Sequence, residues 1–153
     1  MRRALRRALA AVASAGLLAT LTAVTALAHE GIELTCQKLT AVDGDTIKCD
    51  GVNMRDLGEG EPFKSGYDTP EIRKAKCPAE KVLGMTARKR MGQLINTPGV
   101  KVYDSGEKDN RYKRPLVWVI LPDGRSAGSV LISEGLAKVW TPDYRPEWCP
   151  VAS

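Results

Sequence analysis

Histidine is nearly absent: His29 is the single one in 153 residues. The four cysteines contain no C-x-x-C pair, so a His/Cys zinc centre cannot be assembled. No internal repeat and no low-complexity linker follows the N-terminal region, which points to one compact domain. A large charge imbalance is also missing once the N-terminus is set aside. Met1-Arg2-Arg3 and Arg6-Arg7 form a positive leader, Ala8 to Ala28 is apolar apart from a few Ser and Thr, and Ala26-Leu27-Ala28 ends it with a small-x-small pattern. These are the marks of a secretory signal over residues 1–28, cleaved before His29. The run is just long enough to span a bilayer, but its Ala/Thr-rich composition and Ala-x-Ala ending favour cleavage over anchoring. The paired arginines lack the flanks of a twin-arginine signal, so Sec export is expected. The mature protein would be periplasmic or secreted, monomeric, and without stable membrane association.

Of 23 basic and 18 acidic residues, four arginines leave with that signal. The remaining 19 against 18 give a net of +1, so the pI of about 9.1 is no argument for nucleic-acid binding. A local bias remains. Arg73, Lys74, Lys76, Lys81, Arg88, Lys89 and Arg90 crowd one segment, opposed there by Glu71 and Glu80. Such a segment either holds phosphates or is a solvated helix face.

Residues 29–153 suit a single core. In an exported chain the four cysteines are expected to pair. Of the three connectivities, Cys36–Cys49 is favoured because both would lie on strands flanking the turn at Asp43-Gly44. Cys77–Cys149 would then tie the C-terminal tail to the body. Alternation predicts strands over about 33–42, 46–49 and 52–55, joined by Asp-Gly turns. Asp56 to Tyr67, with three Gly and one Pro, reads as loop. Pro78 and Glu80 mark a helix start, and Leu83, Ala87, Met91, Leu94 and Ile95 fall on one face before Thr97-Pro98-Gly99 stops it. Val100 to Tyr103 and Leu116 to Leu121 read as strands, with a polar loop over 105–113. Ala127 to Glu134 reads as a short helix capped by Gly135, and Leu136 to Trp140 as extended chain. The pattern is α+β, mainly β: a small barrel with helices.

Three strings carry chemistry. Asp43-Gly44-Asp45-Thr46 and Asp68-Thr69-Pro70-Glu71 offer carboxylates for a hard cation and for a water, and Arg111-Tyr112-Lys113-Arg114 offers cations for an anion. Alone, the first is a hairpin turn, the second a helix cap and the third a solvated loop. Together they are the inventory of a metal-assisted phosphodiesterase.

In order along the chain, Val-Asp-Gly-Asp-Thr, Arg55, Gly-x-Asp-Thr-Pro-Glu, Cys-Pro-Ala-Glu, Asp-x-x-Tyr-x-Arg and Ser-Glu-Gly-Leu-Ala-Lys resemble the thermonuclease (staphylococcal-nuclease-like) family from about Leu39 to Trp140. The resemblance implies a five-stranded OB-fold barrel with about three helices, and calcium-dependent hydrolysis of DNA and RNA. It implies that Asp45, Asp68 and the carbonyl of Thr69 hold one Ca²⁺, that Glu71 handles the attacking water, and that Arg55 and Arg114 clamp the phosphate. Tyr112, with Lys113 beside it, would contact substrate. Asp43 reads as turn-forming. This chain departs from the family in three places. Thirteen residues separate Arg55 from Asp68 where five are usual, and the extra loop, roughly Gly58 to Ser65, carries Glu59, Glu61 and Lys64. Lys113 stands where glycine is usual, and Thr141 where a tyrosine is often found. The competing reading is a non-catalytic OB-type module that binds an oligonucleotide or another envelope ligand.

Overall fold

The computed structural model describes residues 31–150; the segment 1–28 expected to be a signal and His29 lie outside them. Eight strands and two helices run in the order β1 (Ile32–Leu34), β2 (Leu39–Ala41), β3 (Thr46–Cys49), β4 (Val52–Asp56), β5 (Gly66–Asp68), α1 (Pro78–Ile95), β6 (Lys101–Lys108), β7 (Pro115–Ile120), α2 (Ala127–Ser133) and β8 (Lys138–Trp140). One sheet has the order β1-β6-β7-β4-β3-β2, and β5 pairs with β8 in a second.

The larger sheet has to curl. Laid flat, its outer strands would stand about 24 Å apart at roughly 4.8 Å per strand. Those outer strands are β1 and β2, and only residues 35–38 join them. Fully extended, that link reaches roughly 18 Å. The Cys36–Cys49 disulfide takes up part of this reach by tying the link to β3. The sheet therefore closes on itself as a half-barrel, and the predicted single strand over 33–42 is two strands split at the crossing.

Local chemistry explains most of the other elements. Asp50 and Gly51 both take positive φ, 46° and 92°, as the two-residue turn between β3 and β4 requires. Asp50 also accepts from the backbone N–H of Gln37 (3.1 Å) and Lys38 (2.7 Å), which pins the crossing segment. At α1, the Cys77 sulfur receives the N–H of Glu80, and Pro78 occupies the first turn. The helix packs Met91, Leu94 and Ile95 into one core cluster with Ile47, Val117, Val119 and Leu131; Ala87 is buried as well, while Leu83 is only half-buried.

Several expectations are corrected. The described residues hold two helices rather than about three. After β8 the chain is irregular apart from a Thr141–Tyr144 bridge, and Pro142, Pro146 and Pro150 interrupt any helical run there. The sheets hold eight strands rather than five. Asp56, Gly66 and Tyr67, read as loop, belong to β4 and β5, and β6 runs on to Lys108. The disulfides are Cys36–Cys49 and Cys77–Cys149, the favoured pairing.

Tyr67 is a tight packing point. Its ring is 1% exposed and lies against two glycines, Gly58 and Gly128. A Cβ at Gly128 would meet the Tyr67 ring at 2.5 Å and the Gly58 Cα at 2.7 Å. Glycine lowers the intrinsic stability of α2, yet no larger residue fits. Gly128→Ala is expected to lower stability by about 1–3 kcal/mol, measured as the shift in urea midpoint. An unchanged midpoint would show that the ring moves aside freely.

Candidate active site

The three chemical strings meet at one cleft of about 430 Å³, walled by Asp45, Arg55, Asp68, Glu71, Tyr112 and Arg114 among others. Asp45 closes the turn before β3, Arg55 lies on β4, Asp68 ends β5, and Arg114 directly precedes β7. Strand pairing brings them together. Arg55 lies opposite Thr46 across β3–β4 and opposite Leu116 across the parallel β4–β7 pair. The turn before β3 and the segment leading into β7 thus lie on either side of it.

Arg55 links the acids. Its Nη1 is 2.8 Å from Asp45 Oδ1, its Nη2 is 3.7 Å from Asp68 Oδ1, and Nη2 also donates to the Tyr67 carbonyl (2.7 Å). Burial disfavours its charge, but Asp45, Tyr67 and Asp68 outweigh that and raise its pKa further above the usual arginine range. Asp45, 5% exposed, also accepts from Thr46 Oγ1 (3.1 Å) and from the Thr69 N–H (3.2 Å). Asp68 accepts from the Trp148 indole N–H (3.2 Å). Burial and then repulsion from Asp45 raise the Asp68 pKa, against the lowering effect of Trp148 and Arg55. Asp43 is pushed up to about 7 by burial and by Asp45. Acids gathered so that burial and a neighbouring carboxylate disfavour the charge of Asp43 and Asp68 are the chemical setting that a hard cation relieves. Asp45 and Asp68, held by one guanidinium, fit such a cation. Among the described residues, the ligand atoms of Cys77, Glu80 and Cys149 also lie within 4.8 Å of one another, but both cysteines are in the disulfide and have no thiolate to give.

Arg114 is oriented differently. Its Nε donates to Asp109 (2.7 Å) and its Nη1 to Thr46 Oγ1 (3.1 Å), which leaves three N–H groups of its fork uncommitted. Burial opposes ionisation of Asp109, but hydrogen bonds from Arg114 and from the Tyr112 N–H hold its pKa below the usual range. Arg111 and Arg114 each lie 5.0 Å from the Tyr112 ring centroid. Lys113 is exposed with φ 55°, the left-handed conformation that explains why glycine suits this place. Glu71 is exposed at the cleft edge. Its backbone N–H is received by buried Glu80 (3.3 Å), and its carboxylate is left clear of protein partners among the described residues.

Two relatives can be set beside this geometry. Endonuclease YncB of Bacillus subtilis (strain 168) is 34% identical over 103 residues, covering 65% of this chain and 44% of the relative. The SPbeta prophage-derived endonuclease YokF of the same strain is 35% identical over 103 residues, covering 65% and 32%. Over the matched stretch the chain is similar to these two endonucleases. It spans less than half the length of either relative, and no family model matches it.

The Gly58–Ser65 loop turns its acids away from the cleft. Glu59 accepts from the Ser126 N–H (3.3 Å) and Glu61 pairs with Lys64 (2.6 Å), while Phe63 and Ser65 line the cleft. The Trp118 indole N–H bonds the Gly60 carbonyl (2.9 Å) and anchors the loop. Sequence reasoning missed Trp148, which reaches Asp68 because Cys149 beside it is tied to Cys77. It also missed Asp56, which is 1% exposed. The signal for Asp56 was its place at the end of a strand, next to Arg55. Asp56 accepts from Tyr67 (2.8 Å), Val119 N (3.1 Å) and Gly58 N (3.2 Å), and burial still raises its pKa to about 6.

A folded-state pKa above the unfolded value means that the folded protein holds its protons to higher pH. The Asp56 contribution to stability therefore falls as pH rises from about 4 through 6, by about 3 kcal/mol. Asp43 extends the fall towards pH 7. Asp56→Asn is expected to flatten the decline between pH 4 and 6 in urea unfolding with chelator present. An unchanged slope would remove Asp56 as its source.

Proposed function

We propose that this chain is an exported, calcium-dependent endonuclease that hydrolyses phosphodiester bonds of DNA and RNA. It acts as a monomer processed to residues 29–153, on a curled sheet of OB type, in the periplasm or outside the cell. The carrying observation is the convergence of Asp45, Arg55, Asp68, Glu71 and Arg114 on one cleft, in a chain related to two proteins named endonucleases.

Hydrolysis drives water into an anionic phosphorus centre, and negative charge grows on its non-bridging oxygens. Fixed cations aimed at those oxygens supply most of the acceleration. Arg114, with uncommitted N–H groups and an orientation set by Asp109 and Thr46, is the principal clamp. Arg55 shares its donors with Asp45 and Asp68, so it turns to phosphate only as those carboxylates are satisfied otherwise. Asp45, Asp68 and the Thr69 carbonyl would hold the calcium ion. When bound it would polarise the phosphoryl oxygens. So few protein ligands make weak binding that nucleotide phosphate strengthens. Glu71, with its carboxylate clear of protein partners, is placed to orient or deprotonate the water. Tyr112 and Lys113 would contact the substrate beside Arg114.

Cleavage of DNA and RNA by the oxidised protein is expected with calcium and not with chelator. Arg114→Ala should lose about 10²–10³-fold in kcat. Glu71→Gln should collapse cleavage and leave nucleotide binding nearly intact. Strand binding without cleavage by the folded protein would sink this reading in favour of the non-catalytic binding module.

A further inference from the structure

A second, larger depression of about 1100 Å³ opens beside the cleft. The two share Asp43, Thr46, Glu71, Tyr112 and Arg114, so they form one continuous surface feature that passes Arg114. One wall comes from β2, β3 and the β3–β4 turn, and the other from the segment after Glu71 and from Arg88 of α1. Lys38, Lys48, Arg73, Lys74, Arg88 and Lys113 line it beyond the cleft, against only Asp43 and Glu71 of opposite sign.

These six cations differ from many of the others. Lys64, Lys76, Arg90, Lys101 and Arg125 each pair with a carboxylate. Among the described residues none of the six forms an ion pair, and Arg88 donates only to the Ala41 carbonyl, at 3.3 Å. Like charges gathered along a concave surface and left unpaired repel one another, and a polyanion relieves that repulsion by displacing counterions. The net charge of the chain could not reveal this, because the acids that balance it lie elsewhere.

We propose that this groove is the path of a single-stranded polynucleotide continuing past the scissile phosphate, with successive backbone phosphates held by Lys48, Arg73, Lys74 and Arg88. The proposal rests on the nuclease reading above. A single strand is favoured because Asp45 and Arg55 are recessed in the cleft, and a stiff duplex cannot lower one phosphate to them while its neighbours follow the groove. Backbone contacts of this kind give affinity without sequence preference.

The test compares the wild type with Lys48→Gln/Arg73→Gln/Lys74→Gln, none of which touches the acids of the cleft. Binding of a fluorescent 12-nucleotide single strand is measured with chelator over a range of salt, and cleavage of that strand and of a dinucleotide is measured with calcium. The dependence of log K on log salt should become shallower by roughly 2, since each phosphate that the protein no longer neutralises takes about 0.7 from the slope. Affinity for the 12-mer should fall at least tenfold, while dinucleotide cleavage changes less than twofold. An unchanged salt slope, or equal losses on both substrates, would overturn the groove path. Equal or tighter binding of a 12-base-pair duplex would overturn the single-strand assignment. Wild-type protein that binds no strand and cleaves neither substrate would overturn the nuclease reading itself.

Discussion

The buried carboxylate of Asp56 accepts from Tyr67 on β5, from Val119 on β7 and from Gly58 at the start of the insertion, while its own N–H bonds the Asp45 carbonyl. Side chain and backbone together thus tie the β4 strand end to two other strands, to the turn at Asp45 and to the Gly58–Ser65 loop. Burial makes the ionised form costly, as its raised pKa shows. What offsets that cost is three donors with no better partner, since a buried N–H left alone costs of order 1–3 kcal/mol. Arg55 directly precedes Asp56 and alternates to the opposite face of the strand. Fixing Asp56 inward therefore fixes Arg55 towards Asp45 and Asp68.

Around that anchor the electrostatics divide the site into two halves. Acids dominate on the Asp45–Asp68 side, and Arg55 partly neutralises them. On the Arg114 side, Asp109 and Thr46 orient the guanidinium without using up its donors. An anionic centre placed between the halves meets a cation on each side once the acids are themselves neutralised. The basic groove continues from the second half, so attraction for a polyanion grows with distance from the carboxylates.

The cystines serve the site as well as stability. Cys36–Cys49 holds the crossing segment that forces the sheet to curl. Cys77–Cys149 holds the tail so that Trp148 meets Asp68, next to buried Glu80, which receives the backbone N–H groups of Glu71 and Lys76. The insertion is likewise built in: Trp118 and Ser126 fix its first half. Phe63 reaches the cleft at φ 64°, a conformation that costs a residue with a Cβ about 1–2 kcal/mol.

Elements with a periodic or turn-specific signature were legible from the chain alone. These are the α1 face, the Asp50-Gly51 turn, the β7 run, and the carboxylate and arginine strings in their order. The three-residue strand β5 carries no period to read, because its pairing is set by a distant partner. The split of β1 from β2 was equally hidden, since sheet closure is a constraint on the whole fold. Residue types and spacing thus determined the candidate chemistry and the helix and turn positions, each through forces acting over a few residues. Tertiary structure alone decided which charges are paired or unpaired, which acids face the cleft, and that Asp56 is buried. Burial and Coulomb energy depend on distances between segments that local sequence does not specify.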